Sequence, residues 1–430
     1  MTTPFVAIVN GQLRVIVYVS IHNVSTSFYY YDEMQYTSIT IYNKAYCKLY
    51  KYKNVNTIKK VPHTTKKAKQ ALADDLAASF GRRIKQCYYR GKIGSDPEIF
   101  LGTPSNMPGL PAELLPAFDV LPSIKAPLIT KTSVESFQNS IYWDGYQAEF
   151  NVYAGTCLSW GVDSVQNALT SMLTHVKNKH PNAKYLAKTT MDIPLERLMN
   201  DAEEHVAFGC NPSFNVYGME GIKNNGREVA FRSAGGHIHF GVLGMDIKNT
   251  VKALDMILGV ASVALLGKYD DPRRRTMYGL AGEYRTPKHG LEYRTLSNAW
   301  MFHPLAMHII FDLARIAFAL AREQDIIAKW NATEAETIAC INNNDIKLAV
   351  TLLERNKDMF KQILAASTKY NTAGLVDRVY DAFINGIDSI INNFTDIENN
   401  WDINGAWIKH SNGKNLSVAT FSILAGKKIS

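Results

Sequence analysis

Cysteine is scarce in this chain of 430 residues. Cys47, Cys87, Cys157, Cys210 and Cys340 are odd in number, far apart and never paired as CxxC. That excludes a disulfide scaffold or a zinc ribbon and points to reduced thiols in a cytoplasmic setting. Long uninterrupted apolar runs are lacking too. The longest, between Ala253 and Gly267, is broken by Asp255 and Gly259 and reads as a buried helix, so no membrane partner is expected. The N-terminus lacks the basic, apolar, small-residue order of a secretory signal. There is no G-x-x-x-x-G-K-[ST] loop and no kinase HRD and DFG set, which excludes P-loop and protein-kinase chemistry. Internal repeats and low-complexity tracts are absent as well.

What is present is ordinary in bulk. Apolar residues make up 46% and charged residues 20%, as in a globular protein long enough for two or three domains. The net charge of +8 is modest. Much of it lies between Lys51 and Arg90, in KYK, IKK, TKKAK and GRRIK. Nucleic acid is one partner such a segment suits; a solvated basic helix with its flanks is the plainer reading.

Along the chain, residues 1–60 are rich in β-branched and aromatic residues and read as strands. Residues 64–86 carry Ala and Leu at helical spacing. Six prolines between 103 and 135 mark loops and turns. Extended patterning returns at 140–156, helices are expected at 161–180 and 192–204, a strand at 229–243 and a buried helix at 248–268. Turns and strand fill 276–297. From Pro304 the pattern is helical, over 304–323, 344–366 and 375–395, and the last thirty residues read as irregular. The domain reading is a strand-rich, then basic extension at 1–87, a sheet at 88–305 and a helical part at 306–430 that packs on the sheet.

Four constellations carry chemistry, each with a structural alternative. In SAGGHIHFGV, alternation puts His237 and His239 on one face of a strand, with Ile238 and Phe240 opposite. Two imidazoles there suit a metal or an anion, and the glycines allow close approach; two satisfied structural histidines are the alternative. In IGSDPEIF, Asp96 and Glu98 share a face within an apolar stretch, where carboxylates need a cation or an arginine; Ser-Asp-Pro also starts turns. In YWDGYQAEFNVY, Asp144-Gly145 reads as a tight turn, and Gln147, Glu149 and Asn151 follow on one strand face. In RRRTMYGLAGEYRTPKHGLEYRTLSN, Glu292 and Arg294 share a face, with Arg285 in a turn and Arg273, Arg274 and Arg275 upstream. Arginine forks match phosphate and carboxylate oxygens; a structural Glu–Arg pair beside a solvated basic loop is the alternative. Hard oxygen donors with an imidazole suit Mg²⁺ or Mn²⁺ better than zinc. With arginines converging on them, they suit phosphoryl transfer, where catalysis is positioning and charge neutralisation.

The ordered blocks GSDPEIF, DGYQAEFNVY, FGCNPSFNVY, RSAGGHIHFG and YGLAGEYRTPKHGLEYRTLSN resemble the phage-encoded COOH–NH2 ligase family of the glutamine synthetase and glutamate–cysteine ligase superfamily. The resemblance spans about residues 90–305. It implies an α+β fold, with a curved, mainly antiparallel sheet whose concave face carries the metals and with helices behind. It also implies an ATP-dependent reaction in which the γ-phosphate moves to a carboxylate and an amine displaces it to form an amide, in the host cytoplasm if the protein is phage-encoded. By motif, Asp96, Glu98, Glu149, His237 and Glu292 are the implied metal ligands, Asp96 standing where a glutamate is usual. Arg285 and Arg294 are the implied phosphate or substrate arginines, with Arg275 a further candidate on the nucleotide side. Glu149 lies nearest the substrate, and His239 is placed beside the nucleotide without a fixed role. Only one glutamate matches the substrate-side pair, so Gln147 or Asn151 stands in or one metal is lost. Arg232 faces an acidic substrate or is structural. The implied partners are a small-molecule or peptide carboxylate and an amine; an oligomer is compatible with the resemblance. Two other readings stay open: a guanidino-kinase-like phosphotransferase, and a phage structural or nucleic-acid-binding protein that keeps the scaffold without turnover.

Overall fold

The computed structural model describes residues 2–9, 12–20, 38–43, 48–53, 58–61, 83–84, 86–104, 113–131, 137–207, 213–219, 226–241, 244–367, 374–405 and 416. The chain forms two compact units, Met1–Gln86 and Cys87–Ser430. In the first, β-branched and aromatic runs form an antiparallel sheet in the order Gln12–Ser20, Thr2–Val9, Ser38–Asn43, Lys48–Lys53, Ile58–Val61. The helix expected at 64–86 lies almost wholly outside the described residues, as do most of the last thirty residues.

The second unit is a mixed α+β structure built on a curled antiparallel sheet. Its main strands are β1 (Ile93–Ser95), β2 (Glu98–Thr103), β3 (Gln138–Asp144), β4 (Gln147–Phe150), β5 (Val152–Gly155), β6 (Ile238–Phe240), β7 (Glu283–Arg285) and β8 (Leu291–Tyr293). One half of the curl runs Lys184–Leu186, β2, β4, β3, Leu128–Lys131, with Glu113–Leu115 added to the far end of β2. The other half runs β5, β1, β6, β8, β7, Phe214–Asn215. The halves are continuous. β1 passes into β2 through Asp96-Pro97, β4 passes into β5 through Asn151, and the two bent strands stay paired, Glu149 opposite Glu98 and Val152 opposite Ser95. Pro97 has no amide hydrogen to give to a ladder, which places it naturally at the bend.

Helices cover the apolar side. Leu158–Lys177 buries Val162, Val165, Leu169, Met172, Leu173 and Val176, the three-to-four spacing of a one-sided helix. Pro304–Leu320 is buried nearly all round and forms the centre of the core. Phe240 of β6 stacks on its Phe318 at 4.3 Å, which assigns Ile238 and Phe240 to the core side and His237 and His239 to the other. Its two charged residues are held: Asp312 accepts from Tyr88, and Arg315 donates to the carbonyls of Tyr89, Gly91 and Gly155.

Several expectations are refined. The strand expected over 229–243 is two short strands, Phe231–Ser233 and β6, separated by the glycine pair. The helical pattern at 344–366 is two helices, Ile346–Arg355 and Lys357–Leu364, parted at Asn356, whose side chain bonds Asn331 and Leu352 carbonyls. The apolar stretch read as a buried helix lies in a helix, Ile247–Tyr269, that is long and apolar enough to cross a membrane and is mostly buried inside the fold. A π-turn, Asp255–Gly259, interrupts this helix. The Pro-rich segment holds two short strands and one helical turn among its described residues. Cys87, Cys157 and Cys340 form no disulfide.

Candidate active site

Strand register brings the acidic residues together. Glu98 on β2 is paired with Glu149 on β4, and Glu149 with Tyr142 on β3, so three side chains line up across the curl. Asp144 ends β3 at the hairpin turn, opposite Gln147, and Gly145 takes a φ of 62° to close that turn. The turn expected at Asp144-Gly145 is present, and it delivers the Asp144 carboxylate to the others. Oxygens of Glu98, Asp144 and Glu149 lie within 4.8 Å of one another. Burial pushes Glu98 up to about 7, with Asp144 adding to the shift. Burial also raises Asp144, against Arg285 and Arg294, and pushes Glu149 well above the usual range, with Asp96, Glu98 and Asp144 adding to it. Tyr142 donates to Glu149 at 2.7 Å. Three crowded carboxylates whose pKa values stay raised, that of Asp144 despite Arg285 and Arg294, form a set of oxygen ligands that suits a divalent cation.

The glycine pair fixes Glu98. Gly235 N–H donates to the Glu98 side chain at 2.6 Å, while Glu98 N–H donates to the Gly235 carbonyl at 3.0 Å. A Cβ on Gly235 would press on the His237 ring, 2.5 Å from Nε2. One on Gly236 would run into the Ser297 carbonyl and the Trp300 indole. The backbone therefore approaches both sides closely, which only glycine permits. Tyr278 adds a hydroxyl donor to Glu98 at 2.9 Å.

A second set lies across the β1–β6–β8 ladder. His239 is opposite both Gly94 and Glu292, and Glu292 is opposite Arg285. A Cβ on Gly94 would press on Ala154 of β5, 3.0 Å from its Cβ. Asp96, His239 and Glu292 offer ligand atoms within 4.8 Å of one another. His239 Nε2 is 2.9 Å from Asp96, and His237 Nδ1 is 3.7 Å from Asp96 and 3.4 Å from Glu292. Burial pushes Asp96 up, but His239 and then His237 outweigh it and hold its carboxyl well below the usual range. Burial pulls His237 down, with Arg294 adding to it. For His239 burial is the largest effect, yet the Asp96 charge and hydrogen bond reverse it and the pKa rises.

Two arginines close the group. Arg285 Nη2 and Nε lie 2.6 and 3.1 Å from one Glu292 oxygen, and Arg294 Nε is 3.3 Å from the same atom. Arg294 also donates to Ser213 at 2.7 Å and lies over the Tyr278 ring. Both guanidiniums therefore border the carboxylates.

The structure brings together Asp96, Glu98, Glu149, His237, His239, Arg285, Glu292 and Arg294, all singled out from the sequence. It directs Arg275 elsewhere: the side chain is buried and donates to Asp270 at 2.9 Å and to the Ile341 carbonyl. Arg274 shares Asp270, and Arg273 pairs with Asp192 and Asp271. Arg232 is buried and donates to the carbonyls of Val206, Gly226, Val229 and Phe231, a structural arrangement. Gln147 donates to the Ser233 carbonyl, and the Asn151 side chain bonds the backbone of Ser140 and Gln138; the third carboxylate of the acidic set is Asp144. His289, absent from the sequence reading, lies 2.9 Å from His239. Asp144 is the last residue of β3, in step with Tyr142 on the face shared with Glu149, and was read from the sequence only as a turn residue; His289 lies in a turn, where strand alternation gives no signal.

No curated protein matches the chain. Over residues 215–403 the chain matches the family model of the phage phiEco32-like COOH.NH2 ligase, type 2; this segment holds His237, His239, Arg285, Glu292 and Arg294 and is similar to the family that the motifs resemble.

Proposed function

We propose that the protein is an ATP-dependent carboxylate–amine ligase whose site is the concave face of a glutamine synthetase-like sheet within residues 88–305. The observation that carries this reading is the pair of ligand sets, Glu98/Asp144/Glu149 and Asp96/His239/Glu292, on adjoining strands beside two arginines. The donor chemistry fits divalent cations: buried carboxylates raise one another's pKa, the condition a Mg²⁺ or Mn²⁺ ion would relieve. Bound there, such ions would supply charge neutralisation for phosphate oxygens.

The chain's own residues then have distinct work. Arg285 and Arg294 offer guanidinium forks to the transferring phosphoryl group, and Glu292 holds both in place until it arrives. Gly235 and Tyr278 orient Glu98, and Tyr142 orients Glu149. In the reaction proposed, a carboxylate oxygen of the substrate attacks the γ-phosphorus of ATP, and the bond to ADP breaks. The amine nitrogen then attacks the acyl carbon of the acyl phosphate, phosphate leaves with the C–O electron pair, and the amine gives up a proton. The family's name, that of a COOH–NH2 ligase, supports the two substrate classes.

The test is phosphate release from ATP with Mg²⁺ or Mn²⁺ and a pool of amino acids and amines. Release should require the cation, rise with the pool and fall by at least about a hundredfold in Glu292→Ala and Arg294→Ala. Release that persists undiminished in both variants would remove this site from the reaction.

A further inference from the structure

His289 borders the site from a turn and not from a strand. It lies in the turn 286–290 joining β7 to β8, closed by the Gly290 N–H to Pro287 carbonyl bond at 2.9 Å, with Gly290 at a φ of 148°. That turn returns the chain so that Glu292 falls opposite His239, and it carries His289 over the outer edge of the same imidazole. His289 Nε2 is 2.9 Å from His239 Nδ1, the rings tilted by 33° at 5.1 Å. On its other side, His239 presents Nε2 to Asp96, also at 2.9 Å. His289, His239 and Asp96 thus form a line running from solvent into the second ligand set.

An imidazole that ligates a cation through Nε2 must keep its proton on Nδ1, and that N–H needs an acceptor. His289 Nε2 is in place to be that acceptor. We propose that His289 is a positioning residue for a cation site made by Asp96, His239 and Glu292, holding His239 in the tautomer that leaves Nε2 free to ligate. The inference rests on the ligase reading's requirement for divalent cations and adds to it the chemistry of one site. With His239 locked as a ligand, this set has one imidazole among its three donors, whereas Glu98, Asp144 and Glu149 are oxygen-only. Imidazole donors favour Mn²⁺, Co²⁺ or Zn²⁺ over Mg²⁺, so the two sets differ in the cation each prefers.

The probe is Co²⁺ added to the metal-free full-length protein, with visible absorption reporting its ligands and equilibrium dialysis counting the ions. Wild type should bind two equivalents. His289→Ala should weaken one of them roughly 10–100-fold and change its absorption bands while leaving the other untouched. Glu149→Gln should weaken the other. His289→Gln should recover most of the loss, because its amide oxygen can accept the Nδ1 proton where a ligand role for His289 would not be restored. His289 is exposed, so its removal should leave thermal unfolding of the metal-free protein unchanged. Wild-type affinity and spectrum in His289→Ala, or a His289→Gln variant as weak as the alanine, would overturn the proposal and leave the ligase reading standing. A wild type that binds no Co²⁺, Mn²⁺ or Mg²⁺ would overturn both.

Discussion

At the scale of single residues, the acidic set stores repulsion. Glu98, Asp144 and Glu149 are held within 4.8 Å of one another and burial raises all three, so the metal-free protein works against its own site. Replacing Asp144 by Asn should therefore raise the unfolding temperature without divalent cation, by on the order of 1 kcal/mol of stability. The same change should shrink the extra stabilisation that Mg²⁺ or Mn²⁺ gives. Calorimetry with and without the cation checks both signs; a variant less stable than wild type without cation would contradict the account. Alternation along strands is what made Asp96, Glu98, Glu149, His237 and Glu292 legible, since each has a partner two residues away on the same face. His289 was not legible as a site residue, because a turn points its side chains by backbone dihedrals rather than by period; Asp144 was passed over because Asp-Gly reads as a turn, although it ends β3 in step with Tyr142. Arg275 shows the converse: an arginine near a site in sequence, drawn away by Asp270.

At the scale of elements, the helix Ile247–Leu266 is the informative one. Its π-turn inserts one extra residue per turn and brings Asp255 under β8, where it accepts from Tyr293 at 2.7 Å. Tyr293 is the neighbour of Glu292 and points to the opposite, buried face. Burial pushes Asp255 up to about 7, despite the Tyr293 hydrogen bond that lowers it. In an unfolded chain an aspartate titrates near ~3.9. A raised carboxyl contributes stability that is complete below that value and is lost as pH rises through about 7. Asp255→Asn should then flatten the fall in unfolding temperature between roughly pH 4 and pH 7 and leave the variant more stable than wild type at pH 8. Equal slopes for the two proteins would refute this. Helices at 161–180, 248–268 and 304–323 were readable because long apolar stripes at 3.6 spacing are hard to mimic. The short strands between 113 and 131 were not, since three or four residues among prolines carry too little pattern. The division of 229–243 by the glycine pair is read only from the close approach to Ser297 and Trp300.

At the scale of the whole molecule, the curl matters more than any one strand. Because β1–β2 and β4–β5 run through the bend while paired, ligands on both halves face one space, and sequence-distant blocks at 96–98, 144–149, 237–239 and 285–294 meet there. The order of those blocks was legible; the bend that joins them follows from pairings between distant strands, which no local window contains. The basic stretch 51–90 is a separate matter. If it binds nucleic acid, reversing Lys51, Lys53, Lys59 and Lys60 to Glu should abolish retention on single-stranded DNA at low salt while cation-dependent phosphate release is unchanged; unaltered retention would assign the stretch to a solvated surface. The most direct test of the central claim is phosphate release from ATP by the full-length protein, with Mg²⁺ or Mn²⁺ and a pooled carboxylate and amine mixture, beside His237→Ala and Glu292→Ala. The account predicts release that requires the cation, rises with the pool and is lost in both variants. A wild type that neither binds nor turns over ATP under those conditions would contradict it.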